Sequence, residues 1–169
     1  MHSEPTATQV QQLPPQDAHP DVSAEKPDWP SEVSTTKEQL ESLYDVGLKL
    51  YQQRKFAEAT CIFIALAMQD MFNAGYAFAL GACLQAQSAF EAACHAYAMC
   101  SSLEPANPLP ALHLGDCQMQ LGNREEALEN YRNAVGLADT LSEQPAWATR
   151  ARGLIDLIVS ATNTCDLKE

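Results

Sequence analysis

Apolar residues recur between about residue 38 and residue 160 with the spacing of amphipathic helices, and the helices themselves recur. The first run reads Leu40, Leu43, Val46, Gly47, Leu50, and the second carries Phe56, Ala59, Phe63 and Leu66 on one side. A fixed interval then takes over. Gly47, Gly81 and Gly115 lie 34 residues apart, and Ala59, Ala93 and Ala127 follow them at a constant offset. Phe63, Tyr97 and Tyr131 keep the same step, as do Val46, Leu80 and Leu114. Four columns in phase over three copies predict three stacked helix pairs, each with a helix A and a helix B. Gly and Ala let A approach B closely, while the aromatic column is expected to fill the wider gap between successive repeats.

Punctuation sets the limits. Thr35, followed three residues later by Glu38, reads as a capping box, so the first A helix is expected over 36–52, with Gln52-Gln53-Arg54 turning into helix B. Pro105 ends the second B helix. Pro108 and Pro110 suit a helix start, where first-turn N–H groups have no helical partner to lose. Gly122-Asn123 is a turn, followed by a B helix from Glu125 to Leu137. A stack leaves a bare apolar face at its last copy, and the stretch from Glu143 to about Thr162 places Trp147, Ala151, Leu154, Ile155 and Ile158 on one side to cover it. The period and its columns resemble the tetratricopeptide repeat. The expected fold is all-α: three repeats at about 40–73, 74–107 and 108–141 and a C-terminal capping helix at about 143–162. Together they would make a short right-handed superhelix with a concave groove. The repeat domain is expected over 36–162, between tails at 1–35 and 163–169.

Composition narrows the function. A net charge of −12 argues against a nucleic-acid partner, because phosphate contacts need clustered Lys and Arg and the chain has ten in all. The longest apolar run, Cys61 to Met68, is too short to span a membrane, so no direct membrane insertion is expected. The start lacks the basic and apolar regions of a secretory signal, which points to the cytoplasm. Residues 1–33 hold six of the ten prolines and six acidic groups against the single Lys26. This reads as a flexible acidic tail, with Trp29 as its one candidate anchor. The six cysteines lack paired spacing and are expected to be small buried apolar residues. His113 and Cys117 share a helix face, but two ligands do not make a metal site. No nucleophile with base and orienting group, glycine-rich phosphate loop or metal quartet is evident, so catalysis and cofactors are not expected.

Binding is left. With Leu40, Ala74 and Pro108 as first positions, the groove should be lined by positions 2, 5, 9 and 12 of each A helix, opposite the packing columns. These are Glu41, Tyr44, Leu48, Tyr51; Gly75, Phe78, Ala82, Gln85; and Leu109, Leu112, Asp116, Met119. Such a lining is mostly apolar and aromatic where a solvated face would be charged, and it suits an extended peptide whose apolar residues insert between rigid rings. Ala82 between Phe78 and Gln85 should leave room for a pocket. Coverage of the strip by the chain itself or by a second copy is the alternative.

The runs LESLYDVGLKLYQQRKFAEA (40–59), ALGACLQ (79–85) and HLGDCQMQLGNREEA (113–127) resemble the class II chaperones of bacterial type III secretion systems, the translocator chaperones. The resemblance implies a cytosolic protein that keeps hydrophobic translocators soluble and apart before export. It would hold an extended segment near the partner's N-terminus in its groove. Carried over, it assigns the peptide-binding walls to Tyr44, Leu48 and Tyr51, then Phe78, Ala82 and Gln85, with Leu112 and Asp116 closing the far end. It also implies that a transcription regulator can be a second partner and that a homodimer can form. The other reading is a general tetratricopeptide adaptor. Adaptors that grip acidic C-termini use a Lys, Arg and Asn clamp, and Tyr44, Leu48, Ala79, Leu109 and His113 offer none.

Overall fold

In the computed structural model the backbone is described for residues 35–166 and the side chains for residues 35–161. The expected acidic tail, with Trp29, lies outside the described residues. Seven α-helices follow one another without a strand among the described residues: α1 (Lys37–Gln52), α2 (Phe56–Gln69), α3 (Ala74–Ala86), α4 (Phe90–Leu103), α5 (Pro108–Leu121), α6 (Arg124–Ala138) and α7 (Ala146–Asp166). Helices α1, α3 and α5 are the A helices and α2, α4 and α6 the B helices. Each packs on the next in chain order, α1 also touches α3, and α7 closes the stack against α6.

The capping box at the start is real but sits one residue later than the sequence suggests. Thr36, not Thr35, is the N-cap, and its side chain accepts from the Gln39 N–H at 3.3 Å. The Gln39 amide oxygen accepts from the Thr36 N–H at 2.8 Å in return. Glu38 is left on the outside of the first turn, where its carboxylate faces the positive end of the helix. Asn73 and Asn107, one repeat apart, cap α3 and α5 with side-chain oxygens that accept from Gly75 and Tyr76 and from Leu109, without the reciprocal bond.

The A-to-B turns share one device that the apolar pattern does not reveal. Arg54, Ser88 and Gly122 occupy equivalent places and all have positive φ, at 61°, 61° and 83°. Behind each, the next residue's N–H reaches back to a carbonyl of the A helix at 2.9 Å: Lys55 to Leu50, Ala89 to Leu84, Asn123 to Gln118. This is the left-handed helix ending that glycine adopts without strain. Two of the three copies adopt it with a side chain present, at a cost of about 1 kcal/mol each.

The core corrects one expectation. Rather than only bridging repeats, each aromatic ring lies over the glycine of its own A helix. A Cβ built on Gly47 would fall 2.7 Å from Phe63 Cζ, one on Gly81 2.8 Å from Tyr97 Cδ1, and one on Gly115 2.6 Å from Tyr131 Cε1. Ala59, Ala93 and Ala127 are wholly buried one turn before each ring. Cys83, Cys100 and Cys117 are buried as small apolar residues, their thiols pushed up by desolvation to about 11, 11 and 12, whereas Cys61 is exposed. At the far end Ala151 and Ile158 enter the core, with Trp147, Leu154 and Ile155 packed beside them, so α7 covers the last repeat as its spacing requires. It begins at Ala146 and reaches Asp166, later and longer than the 143–162 expected.

Two substitutions test this packing. Gly115→Ala should lower stability by about 1–3 kcal/mol, because Tyr131 has no room to retreat. Ser88→Gly should raise it by about 0.5–1 kcal/mol by relieving the positive φ. Urea unfolding followed by circular dichroism reads both, and a neutral Gly115→Ala would show that the ring contact does not hold the pair together.

Candidate functional site

The A helices bring a row of rings to one face. Tyr44 packs edge-on against Phe63 and tilted against Tyr76, both with centroids 5.6 Å apart. Tyr51 stands edge-on to Phe56 at 5.3 Å. In the next repeat Phe78 meets Tyr97 at 5.5 Å and His113 at 5.4 Å, and His113 lies flat on Tyr97 at 5.1 Å. Edge and stacked contacts of this kind hold rings in fixed orientations. Tyr44, Leu48 and Phe78 are therefore half-buried, each anchored in the core and open on one side, while Tyr51 is 36% exposed.

Two cavities open at the N-terminal ends of the A helices, and Tyr44 and Gly75 line both. The first, about 690 Å³, lies between α1 and α3 and is walled by Leu40, Tyr44 and Tyr76 with Glu41, Asp45 and Asp70 among its lining residues. The second, about 200 Å³, lies between α3 and α5 among Tyr44, Phe78, Leu109 and Glu104. Both combine an apolar wall with carboxylates; only Lys37 is cationic, and it reaches Glu41 at 3.8 Å. A third cavity of about 500 Å³ opens towards α7, among Gln85, Phe90, Asp116, Met119, Arg150 and Leu154.

The polar groups of the face are tied down from beneath. The Tyr97 hydroxyl donates to Gln85 Oε1 at 2.8 Å, and the Tyr131 hydroxyl donates to Asp116 Oδ1 at 2.8 Å. Arg150 of α7 places one Nη2 against both Asp116 oxygens, at 3.1 and 2.9 Å. Burial first, and then the bond to Asp116, hold the Tyr131 phenol well above its ordinary value of 10. Tyr97 is shifted upward mainly by burial. His113 Nδ1 is buried without a hydrogen-bond partner, and desolvation lowers the imidazole below its ordinary 6.5. Asp116 pulls it up and Arg150 down, and burial prevails.

No family model matches the chain. Solved structures do. PcrH of Pseudomonas aeruginosa, crystallised in complex with the chaperone binding region of PopD, is 30% identical, with 76% of this chain and 97% of PcrH covered at a TM-score of 0.73. The Yersinia enterocolitica type III secretion chaperone SycD, in complex with a peptide of the translocator YopD, is 26% identical over 76% of this chain and 98% of its own, with a TM-score of 0.73. Low calcium response locus protein H of Yersinia pestis is 29% identical over 119 residues, 70% of this chain and 71% of that protein. This chain belongs to the type III secretion translocator chaperones.

In this translocator chaperone the residues expected at the site are not all alike. Tyr44 walls both of the paired cavities and Phe78 the smaller one, and Gln85 and Asp116 line the one near α7. Leu48, Tyr51 and Ala82 lie along α1 and α3 with part of their surface open. Leu112 is a correction: only 4% exposed, it belongs to the core with Ala127, Tyr131 and Ala151, and it cannot close the groove. The neighbouring His113 takes the place towards Phe78 instead. The column rule did not find Tyr76, Asp70, Glu104 or Arg150. Of these, Tyr76 is signalled only as an aromatic one position past Gly75, and Arg150 only as a cation on the capping helix.

A buried neutral imidazole makes stability depend on pH. The unfolded chain takes up the proton near 6.5 and the folded chain only at lower pH, so His113 costs nothing above about pH 6.5 and destabilises progressively below it. Between about pH 7.5 and pH 5.5 the urea midpoint of the wild-type protein should therefore fall more than that of His113→Phe. Parallel falls in the two proteins would show that another group carries the dependence.

Proposed function

We propose that this chaperone holds an extended segment of a hydrophobic translocator protein against the A-helix face, keeping translocators soluble and separate in the bacterial cytoplasm before export. The observation that carries the reading is the pair of adjacent cavities sharing Tyr44. An extended strand directs alternate side chains to one side, so two apolar side chains of a bound segment would straddle the Tyr44 ring, one towards Tyr76 and the other towards Phe78. Leu48, Tyr51 and Ala82 continue the wall, and Gln85 and Asp116 supply fixed polar groups at the α7 end. Because the rings are already locked by their core contacts, binding immobilises little of the chaperone, and most of the ordering cost falls on the cargo.

The mechanism is competition for apolar surface. A translocator's membrane-active stretches aggregate or insert if left free, and a clamp on a neighbouring segment keeps the complex dispersed. Among the described residues no helix is long and apolar enough to cross a membrane. PcrH was crystallised with the chaperone binding region of PopD and SycD with a peptide of the translocator YopD, which supports a peptide-holding role.

A synthetic peptide spanning the chaperone binding region of PopD is the available probe. Tyr44→Ala should weaken its binding by about tenfold or more, with some loss of thermal stability because Tyr44 also packs on Phe63. Tyr51→Ala should weaken it by about fivefold with the melting temperature nearly unchanged. Isothermal titration reads both, and wild-type affinity in the two variants would remove the face from the binding site.

A further inference from the structure

Helix α2 is apolar on more than one side, and only one side is covered. Phe63 and Leu66 are fully buried, yet Ile64 is 45% and Met68 80% exposed. An all-round apolar helix belongs in an interior, so an uncovered side signals a missing partner. The turn that follows adds Met71 at 62% and Phe72 at 76%, and α4 adds Met99 at 41%. With Leu80 of α3 these side chains line one open depression of about 600 Å³.

Three features say what fits there. Asp70 lines both this depression and the 690 Å³ cavity beside Tyr44, so the two meet across a single residue. A chain leaving the cavity at that edge passes directly onto the methionines. The rim is negative, because α2 ends there with its free carbonyls, no basic residue in its last turn, and Asp70 as its cap. A second copy of a chain with net charge −12 would bring like charge to that rim, whereas a cation beside apolar side chains complements it. Methionine walls also adapt to differing apolar shapes, which suits a cargo surface better than a fixed self-interface.

We infer that the depression is a second seat for the cargo: an apolar stretch adjoining the groove-held segment lies on Met68, Met71 and Phe72, with a Lys or Arg of the cargo set against Asp70. This rests on the groove reading for the identity of the cargo, but on separate side chains for the contact. The chaperone would then shelter cargo surface that lies outside the groove.

The test is Met68→Ser combined with Phe72→Ser, two side chains exposed enough that folding should be unaffected, as circular dichroism would verify. Wild-type and variant proteins are co-expressed with full-length PopD and separately titrated with the PopD chaperone-binding peptide. The variant should keep at least about fivefold less PopD in the soluble fraction while binding the short peptide within about twofold of wild type. Equal soluble PopD with both proteins overturns the inference. So does a wild-type dimer that the variant turns into a monomer in sedimentation equilibrium, since a second copy would then be the occupant. If instead Tyr44→Ala and Tyr51→Ala retain peptide affinity while the Met68/Phe72 variant still loses PopD, the groove reading fails and the second seat stands.

Discussion

The three helix pairs of this protein depend on a ring laid over a glycine. Phe63 on Gly47, Tyr97 on Gly81 and Tyr131 on Gly115 fix how closely each A helix approaches its B helix. A methyl group at the glycine would occupy the ring's own space, so the spacing of the pair is set by van der Waals contact and has no slack. The same rings also reach the candidate face. Tyr97 and Tyr131 end in hydroxyls that hold Gln85 and Asp116, so the polar groups of the face are positioned by the residues that close the core. Phe63 has no hydroxyl, and there the ring edge supports Tyr44 directly. One column of the sequence thus closes the core through its ring and, in two of its three copies, orients a polar group of the candidate face through its tip.

Local strain is distributed with the same regularity. Each A-to-B turn ends in a left-handed residue, but only the third copy uses glycine for it. The first two copies carry the cost at Arg54 and Ser88 and keep the reach-back bonds of Lys55 and Ala89 that the glycine copy also makes. The asymmetry also extends to the caps: Asn73 and Asn107 satisfy the first N–H groups of α3 and α5, while the B helices start with no side-chain cap and rely on the turn's reach-back bond. Tertiary packing, more than local preference, decides where the B helices begin.

The repeat was legible because its information is periodic. Gly47, Ala59 and Phe63 recur in register, and a three-fold coincidence of small and aromatic residues outweighs any one ambiguous position. The site was legible less fully, for two physical reasons. Reading groove positions by offset assumes that every A helix turns the same face outward. Tyr44 and Phe78 keep an open side, but Leu112 does not: it lies in the core cluster that α6 and α7 close with Ala127, Tyr131, Ala151 and Ile158. Contacts distant in sequence carry no periodic mark at all. Arg150 reaches Asp116 across 34 residues only because α7 folds back over the last repeat. Asp70 and Glu104, at the ends of B helices, enter the cavities from outside the A-helix columns altogether.

The charge of the chain and the chemistry of its face have to be read together. A net charge of −12 works against self-association of a chain with this much open apolar surface, since like charges repel. It also biases choice of partner. Carboxylates at Glu41, Asp45, Asp70 and Glu104 border apolar walls, a charge pattern complementary to an apolar segment flanked by cations and unfavourable to an acidic one. Shape then distinguishes among the segments that charge admits, through cavities whose walls are already rigid. On the proposed reading the two terms divide the work: long-range charge would admit many sequences at low specificity, and the rings beside Tyr44 would select among them without the protein refolding around its cargo.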